Sequence, residues 1–237
     1  MTAQETMSLR EHLTELRNRL IVSVIALGVG AIIGFIFWQE VFDLLAAPYE
    51  AAVDQELAAF SVTEPFSIAM RISFFTGAVI ASPVIIYEIW RFISPALSHQ
   101  EKRYIIPASV VLAVLFLGGI VLGYVAIERG LDFLVNFGEG RLFPVIGVDN
   151  YLRFAVRFLF AFGVAFEFPV FLFMAAALGA VNSKQLRANR RWAVLIILVS
   201  AALITPSGDP LTLMLMSVPL YLLYEATILA IRFILHK

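Results

Sequence analysis

The sequence predicts an all-α integral membrane protein with six membrane-spanning helices, and three observations carry that prediction. Hydrophobic residues make up 61% of the 237-residue chain, charged residues only 15%, and the mean hydropathy is +0.90. A water-soluble domain of this length has no interior large enough to hide so much apolar surface. The apolar residues also gather into runs divided by polar stretches. Finally, Lys and Arg are distributed unevenly over those stretches. Arg10, Arg17, Arg19, Arg91, Lys102, Arg103, Lys184, Arg187, Arg190, Arg191, Arg232 and Lys237 fall on one side, and only Arg129 and Arg141 on the other. The positive-inside rule makes the first side cytoplasmic and both termini internal, as an even number of spans requires. One membrane domain, residues 1–237, is the simplest organisation, because no linker, low-complexity tract or internal repeat is visible.

A cytoplasmic amphipathic helix is expected over residues 8–19. Ser8-Leu9-Arg10-Glu11 has the form of a capping box, and Leu9, Leu13, Leu16 and Leu20 recur on one helical face. Glu15 and Arg19 stand at i,i+4, the spacing of a helical ion pair. Two readings stay open: an ordinary surface helix, or a docking surface that uses Glu15. The N-terminus is not read as a cleaved signal peptide, since its charged region is long and the apolar run behind it exceeds an h-region.

The first span is expected over 20–38, with Trp38 as an interfacial anchor. Residues 39–63 read as a long outer loop containing several acidic residues and no Lys or Arg, with Pro48 breaking a short helix-like segment. The second span, 66–90, contains Arg71 near its outer end, expected to snorkel outwards, and Glu88 near its inner end, with Arg91 at i+3. A charged inner loop leads to the third span, 105–127, which has Tyr124 near its outer end. A second outer loop runs from Glu128 to Asn150. The fourth span, 151–178, carries Arg153 and Arg157 early and Glu167 and Pro169 near its middle. After a basic inner loop, the fifth span, 192–204, gives roughly 20 Å of helix against a hydrocarbon core of about 30 Å. Such a short span thins the bilayer locally or borders a protein cavity. A tight turn precedes the sixth span, 211–231, which contains Glu225.

Enzymatic chemistry finds no support. His12, His99 and His236 all lie outside the spans, there is no Gly-x-Ser-x-Gly, and Glu11-His12 has no second His four residues on. No cysteine is present, so disulfides and thiolate metal sites are excluded. No cofactor and no metal are expected, and a net charge of −1 gives no argument for nucleic acid. Glu167 is the costliest residue, since a carboxylate at mid-membrane costs about 2.5–3.5 kcal/mol. It is either polar glue satisfied by Ser or Thr of a neighbouring helix, or a contact or proton-sensitive switch for a partner. Glu225 reads as structural. Glu15 and Glu101 both lie on the inner side, and a pair of carboxylates there can receive two guanidinium groups. Phe92 is the nearby apolar candidate.

These residues together resemble the TatC family, the multispanning subunit of the twin-arginine protein translocase. The resemblance rests on His12-Leu13-x-Glu15-Leu16-Arg17-x-Arg19-Leu20, Ala47-Pro48, Pro65-Phe66, Phe92-Ile93-Ser94-Pro95-Ala96-Leu97 and Glu101-Lys102-Arg103. It continues in Phe162-Gly163-Val164-Ala165-Phe166-Glu167-x-Pro169-Val170 and in Thr205-Pro206 before Asp209-Pro210. It implies a concave, glove-like bundle in the cytoplasmic membrane that binds twin-arginine signal peptides of folded cargo. Glu15 and Glu101 would meet the arginines, with Leu16, Arg17 and Phe92 shaping the same surface. Glu167 would face the concave side, and Pro48, Phe66, Tyr124 and Asp209 would serve on the outer side. Single-span TatA and TatB, further copies of the chain and the lipid bilayer would be its partners, and the proton-motive force its energy source. Ser207-Gly208, inserted between Pro206 and Asp209, departs from shorter family members. A solute or ion transporter using Glu167 is the alternative from another class.

Overall fold

The computed structural model describes residues 9–53, 57–93, 105–137, 146–205 and 209–235. Among these the backbone is helical apart from turns and one isolated bridge between Ala58 and Gly147. The first helix, α1, spans Leu9–Ile36 without a break between its amphipathic start and its apolar run. No Pro occurs in that stretch and its first Gly is Gly28, so nothing ends the helix where the charges stop. Ser8 of the expected capping box lies outside the described residues.

The expected outer loop after Phe37 begins as a helix. α2 spans Trp38–Val53, with Pro48 inside it rather than ending it. Its buried residues Leu45, Ala46, Pro48 and Tyr49 share one face, while Glu40, Asp43 and Glu50 lie on the exposed one. The acidic residues that read as a loop are the wet side of an amphipathic helix. Pro48 has no N–H for the carbonyl of Leu44, four residues back. The Tyr124 hydroxyl donates to that carbonyl at 2.8 Å, and Tyr151 donates to the next one, Leu45 O, at 2.7 Å.

α3 spans Glu64–Ile93 and α4 Ile105–Phe137. Pro83 within α3 is accommodated in the same way: the Ser82 hydroxyl donates to Val79 O, the carbonyl that Pro83 leaves without its usual donor, at 2.8 Å. α4 runs ten residues past the expected end at Ile127, with Ile127 and Leu131 buried in the core. The fourth span divides into α5 (Val148–Ala165) and α6 (Phe168–Ala177). Pro169 cannot donate to Ala165 O, and the turn tightens, with Glu167 N–H bonding Val164 O at 3.1 Å.

The expected inner loop contains α7 (Ser183–Ala188), started by a capping box between Asn182 and Gln185. α8 (Arg190–Ile204) is a short helix, and α9 (Pro210–Ile234) is the last. Among the described residues, five segments are long and apolar enough to cross a bilayer by themselves, and α8, with 15 residues, is the short sixth.

In lipid, apolar surface gives little drive for helices to associate, so close backbone approach matters more. α1 and α3 meet through glycines: a Cβ on Gly77 would lie 2.6 Å from Ala31 N, and one on Gly30 2.7 Å from Gly77 O. α4 and α5 approach similarly, where a Cβ on Gly119 would sit 2.7 Å from Phe162 O. α5 is the central helix, with Leu152, Ala155, Phe158 and Phe162 wholly buried. Many large apolar side chains on α1, α3 and α4 remain exposed, as lipid-facing surfaces do.

Candidate functional site

The end of the bundle that holds the start of α1 carries a cluster of three charged side chains. Because α1 is unbroken, Glu15 and Arg19 stay one turn apart on a single rigid helix. The glycine contact between α1 and α3 then brings Glu88, 69 residues from Arg19 in sequence, into reach. Arg19 Nη1 donates to Glu88 Oε2 at 2.9 Å, and Arg19 Nε to Glu15 Oε1 at 3.0 Å. Arg19 Nη2 also bonds Glu15 Oε1. All three side chains are largely shielded, retaining 15%, 18% and 11% of their exposure for Arg19, Glu15 and Glu88. Among the described residues, no donor reaches the buried Glu15 Oε2.

The sequence pointed to the Glu15–Arg19 pair, and the structure contains it. The partner offered for Glu88 was Arg91, and the structure gives Arg19 instead. Beside the cluster, the Phe92 ring stacks on His12, with centroids 4.5 Å apart and planes 19° from parallel. Leu13, Leu16 and Arg17 are exposed on α1, and Leu13 keeps 60% of its accessible surface. Glu101 lies outside the described residues.

Glu167 sits at the break between α5 and α6, only 8% exposed, and caps no helical N–H with its side chain. Neither carboxyl oxygen has a hydrogen-bond partner among the described residues, so no Ser or Thr satisfies it there. An apolar cavity of about 470 Å³ opens next to it, between Pro107 and Leu115 of α4, Pro169 and Met174 of α6, and Leu223 and Ile234 of α9. Glu225 is tied instead, accepting from Arg190 Nη2 at 2.7 Å and from the Tyr221 hydroxyl at 2.9 Å.

The opposite end is held by different chemistry. Pro48 and Tyr124, named separately from the sequence, form one unit through Leu44 O. Arg71 donates to Asp149 Oδ1 at 2.6 Å, in the first turn of α5, and Arg153 pairs with the other oxygen of the same carboxylate. Asp209 is buried and caps α9, accepting from Thr212 N–H at 2.8 Å. Phe66 is 68% exposed and stands apart from these contacts. Sequence reasoning did not find the bond between Glu88 and Arg19. Its signal was a carboxylate placed inside a span with no acidic or basic residue before it for sixteen positions.

Residues 11–219 match the family model for the Sec-independent protein translocase protein, TatC. The chain belongs to the TatC family. A TatC protein from Desulforapulum autotrophicum is 38% identical over 97% of this chain and 86% of its own length. One from Aquifex aeolicus is 41% identical over 94% and 93% respectively. A crystal structure of the twin-arginine translocase receptor TatC superposes with a TM-score of 0.81, at 40% identity, covering 93% of this chain and 99% of that one. The chain is therefore a multispanning subunit of a twin-arginine translocase, with the six-helix arrangement of TatC. Nothing in these likenesses points to a solute transporter.

Proposed function

We propose that this chain is the receptor subunit of its translocase, set in the cytoplasmic membrane with the Glu15 end and both termini facing the cytoplasm. It binds the twin-arginine signal peptides of folded proteins and nucleates the export complex. Its partners are single-span TatA and TatB and further copies of itself, and its work is binding, without catalysis. The observation that carries this reading is the Glu15 cluster: a carboxylate fixed on a rigid helix, already bonded to one guanidinium and retaining a buried oxygen. The positive-inside pattern supports the orientation, and the word receptor in the name of the solved relative supports the role.

Glu15 and Glu101 take the arginine pair. Exposed ion pairs contribute about 0–1 kcal/mol each, whereas micromolar binding needs about 8 kcal/mol. The difference comes from apolar contact, for which Phe92, Leu16 and the exposed leucines of α1 are at hand, with Arg17 at the rim. The apolar part of the peptide then inserts along the concave face towards Glu167, where the short α8 thins the bilayer. Glu167 answers a polar group of a partner helix or changes protonation. Pro48, Phe66, Tyr124 and Asp209 preserve the outer side on which that movement leans.

The test is binding of an Arg-Arg signal peptide and its Lys-Lys twin to the detergent-solubilised chain, repeated with Glu15→Gln and Glu101→Gln. The expected result is a preference for Arg-Arg that either substitution removes. Equal binding of both peptides to all three proteins would sink the receptor reading. For the second step, Glu167→Ala should reduce partner cross-linking and transport while leaving peptide capture intact.

A further inference from the structure

Resting on the receptor reading, we propose that Glu15, Arg19 and Glu88 together form a subsite for one guanidinium. Glu15 is the contact, and Arg19 and Glu88 are positioning residues that keep it ready.

The first support is how the bonds fall. The Nε–Nη2 edge of an arginine ordinarily spans both oxygens of a carboxylate. Here both donors of Arg19 converge on Glu15 Oε1, while Nη1 is held 2.9 Å from Glu88 Oε2. Glu88 thus turns the guanidinium so that it covers one oxygen of Glu15 and leaves Oε2 buried and without a donor among the described residues. A carboxylate has about four acceptor positions, so Oε2 can take a second cation while Arg19 stays in place, once what covers that oxygen moves aside.

Charge is the second support. The bonded group contains two carboxylates and one guanidinium, an excess of one negative charge, on side chains with at most 18% exposure. Shielded charge is costly unless matched, so the group favours one further cation. Without Glu88, Arg19 and Glu15 would form a closed neutral pair. Geometry selects the kind of cation. His12 and Phe92, which stack on each other, lie one helical turn from Glu15 and Glu88 respectively, and a planar guanidinium can hydrogen-bond edge-on while lying against an aromatic face, which an ammonium does less well. The subsite takes one arginine of the pair and leaves the other to a second acid.

The experiment is equilibrium binding of the Arg-Arg signal peptide, with the Lys-Lys peptide as control, to the full chain in detergent. The variants are Glu15→Gln, Glu88→Gln, Arg19→Gln and the double Arg19→Gln/Glu88→Gln. The charge argument expects Glu88→Gln to weaken Arg-Arg binding about tenfold, the size of one lost charge-assisted bond. It expects the double variant, which restores the excess charge on Glu15, to recover to within about threefold of wild type. Arg19→Gln alone should bind at least as well as wild type. The proposal is overturned if Glu88→Gln binds normally, or if the double variant is as weak as Glu88→Gln, since Glu88 would then serve packing alone. Should Glu88→Gln fail to fold, loss of binding in folded Arg19→Gln overturns it equally. If Glu15→Gln retains the Arg-Arg preference, the receptor reading itself fails at this residue. If Glu15→Gln loses that preference and Glu88→Gln does not, only the present inference fails.

Discussion

The two ends of the bundle each contain a triad of charged side chains, and the two are opposite in sign. At the end that holds the start of α1, Glu15, Arg19 and Glu88 combine two acids with one base. At the opposite end, Arg71, Asp149 and Arg153 combine two bases with one acid. In the triad around Asp149, Arg71 and Arg153 take different oxygens, so both oxygens of the single acid are engaged. In the triad around Arg19, the guanidinium takes one oxygen of Glu15 and leaves the other. The opposite end is closed further by Tyr124 and Tyr151 on the α2 carbonyls and by Val148 N–H on Ala58 O at 2.9 Å. The two ends thus use their ion pairs differently. Where both oxygens of the acid are engaged the pairs tie helices together, and where one oxygen is left over, as in Glu15, it offers the acceptor that the proposed subsite uses.

The comparison depends first on α1 and α3 lying close enough for Arg19 to reach Glu88. Gly77→Leu tests that directly. The added side chain would meet the backbone of Ala31 within 2.6 Å at its Cβ alone, and backbone cannot swing aside. Overpacking of this kind costs about 3 kcal/mol. The expected outcome is a large drop in the thermal midpoint in detergent, together with loss of Arg-Arg peptide binding in whatever protein remains folded. Normal peptide binding by Gly77→Leu would mean that the triad around Arg19 does not depend on this crossing.

Asp149→Asn should separate the two ends from the other side. It leaves Arg71 and Arg153 without their shared anion at partly shielded positions, at a cost of about 2 kcal/mol after allowing for solvent access. Stability should fall while peptide binding by the folded fraction stays within about twofold of wild type. A selective loss of peptide binding, with stability unchanged, would show that the triad around Asp149 is no mere lock.

What was legible in the sequence divides along the same line. Contacts set by one helix could be read: Glu15 with Arg19 follows from the i,i+4 spacing, and the weakness near Glu167 follows from Pro169. Contacts between helices could not, because they depend on how closely two backbones pass. Glu88 was given to Arg91 on its own helix, and only the Gly30–Gly77 crossing hands it to Arg19. α2, expected only as a short helix-like segment broken at Pro48 within a loop, was underestimated for another reason. Val41, Phe42, Leu45, Ala46 and Tyr49 already carry a helical period, but Pro48 and the acidic residues between them outweighed it as loop signals. The helix tolerates Pro48 because a tyrosine 76 residues later in sequence supplies the missing donor, and no local pattern reveals that.

That last contact gives the smallest expected effect and the most specific one. If Tyr124 matters because Pro48 frees Leu44 O, its value must depend on Pro48. Tyr124→Phe in the wild-type background removes one hydrogen bond and should cost about 1 kcal/mol. In a Pro48→Ala background the helix recovers its own N–H donor to Leu44 O, and Tyr124→Phe should then cost much less. Thermal unfolding of the four proteins measures the coupling. Equal costs in both backgrounds would make Tyr124 an independent packing residue. A coupling near the full value of the bond would make Pro48 and Tyr124 two halves of one device, in which a proline opens a carbonyl on α2 so that α4 can hold it.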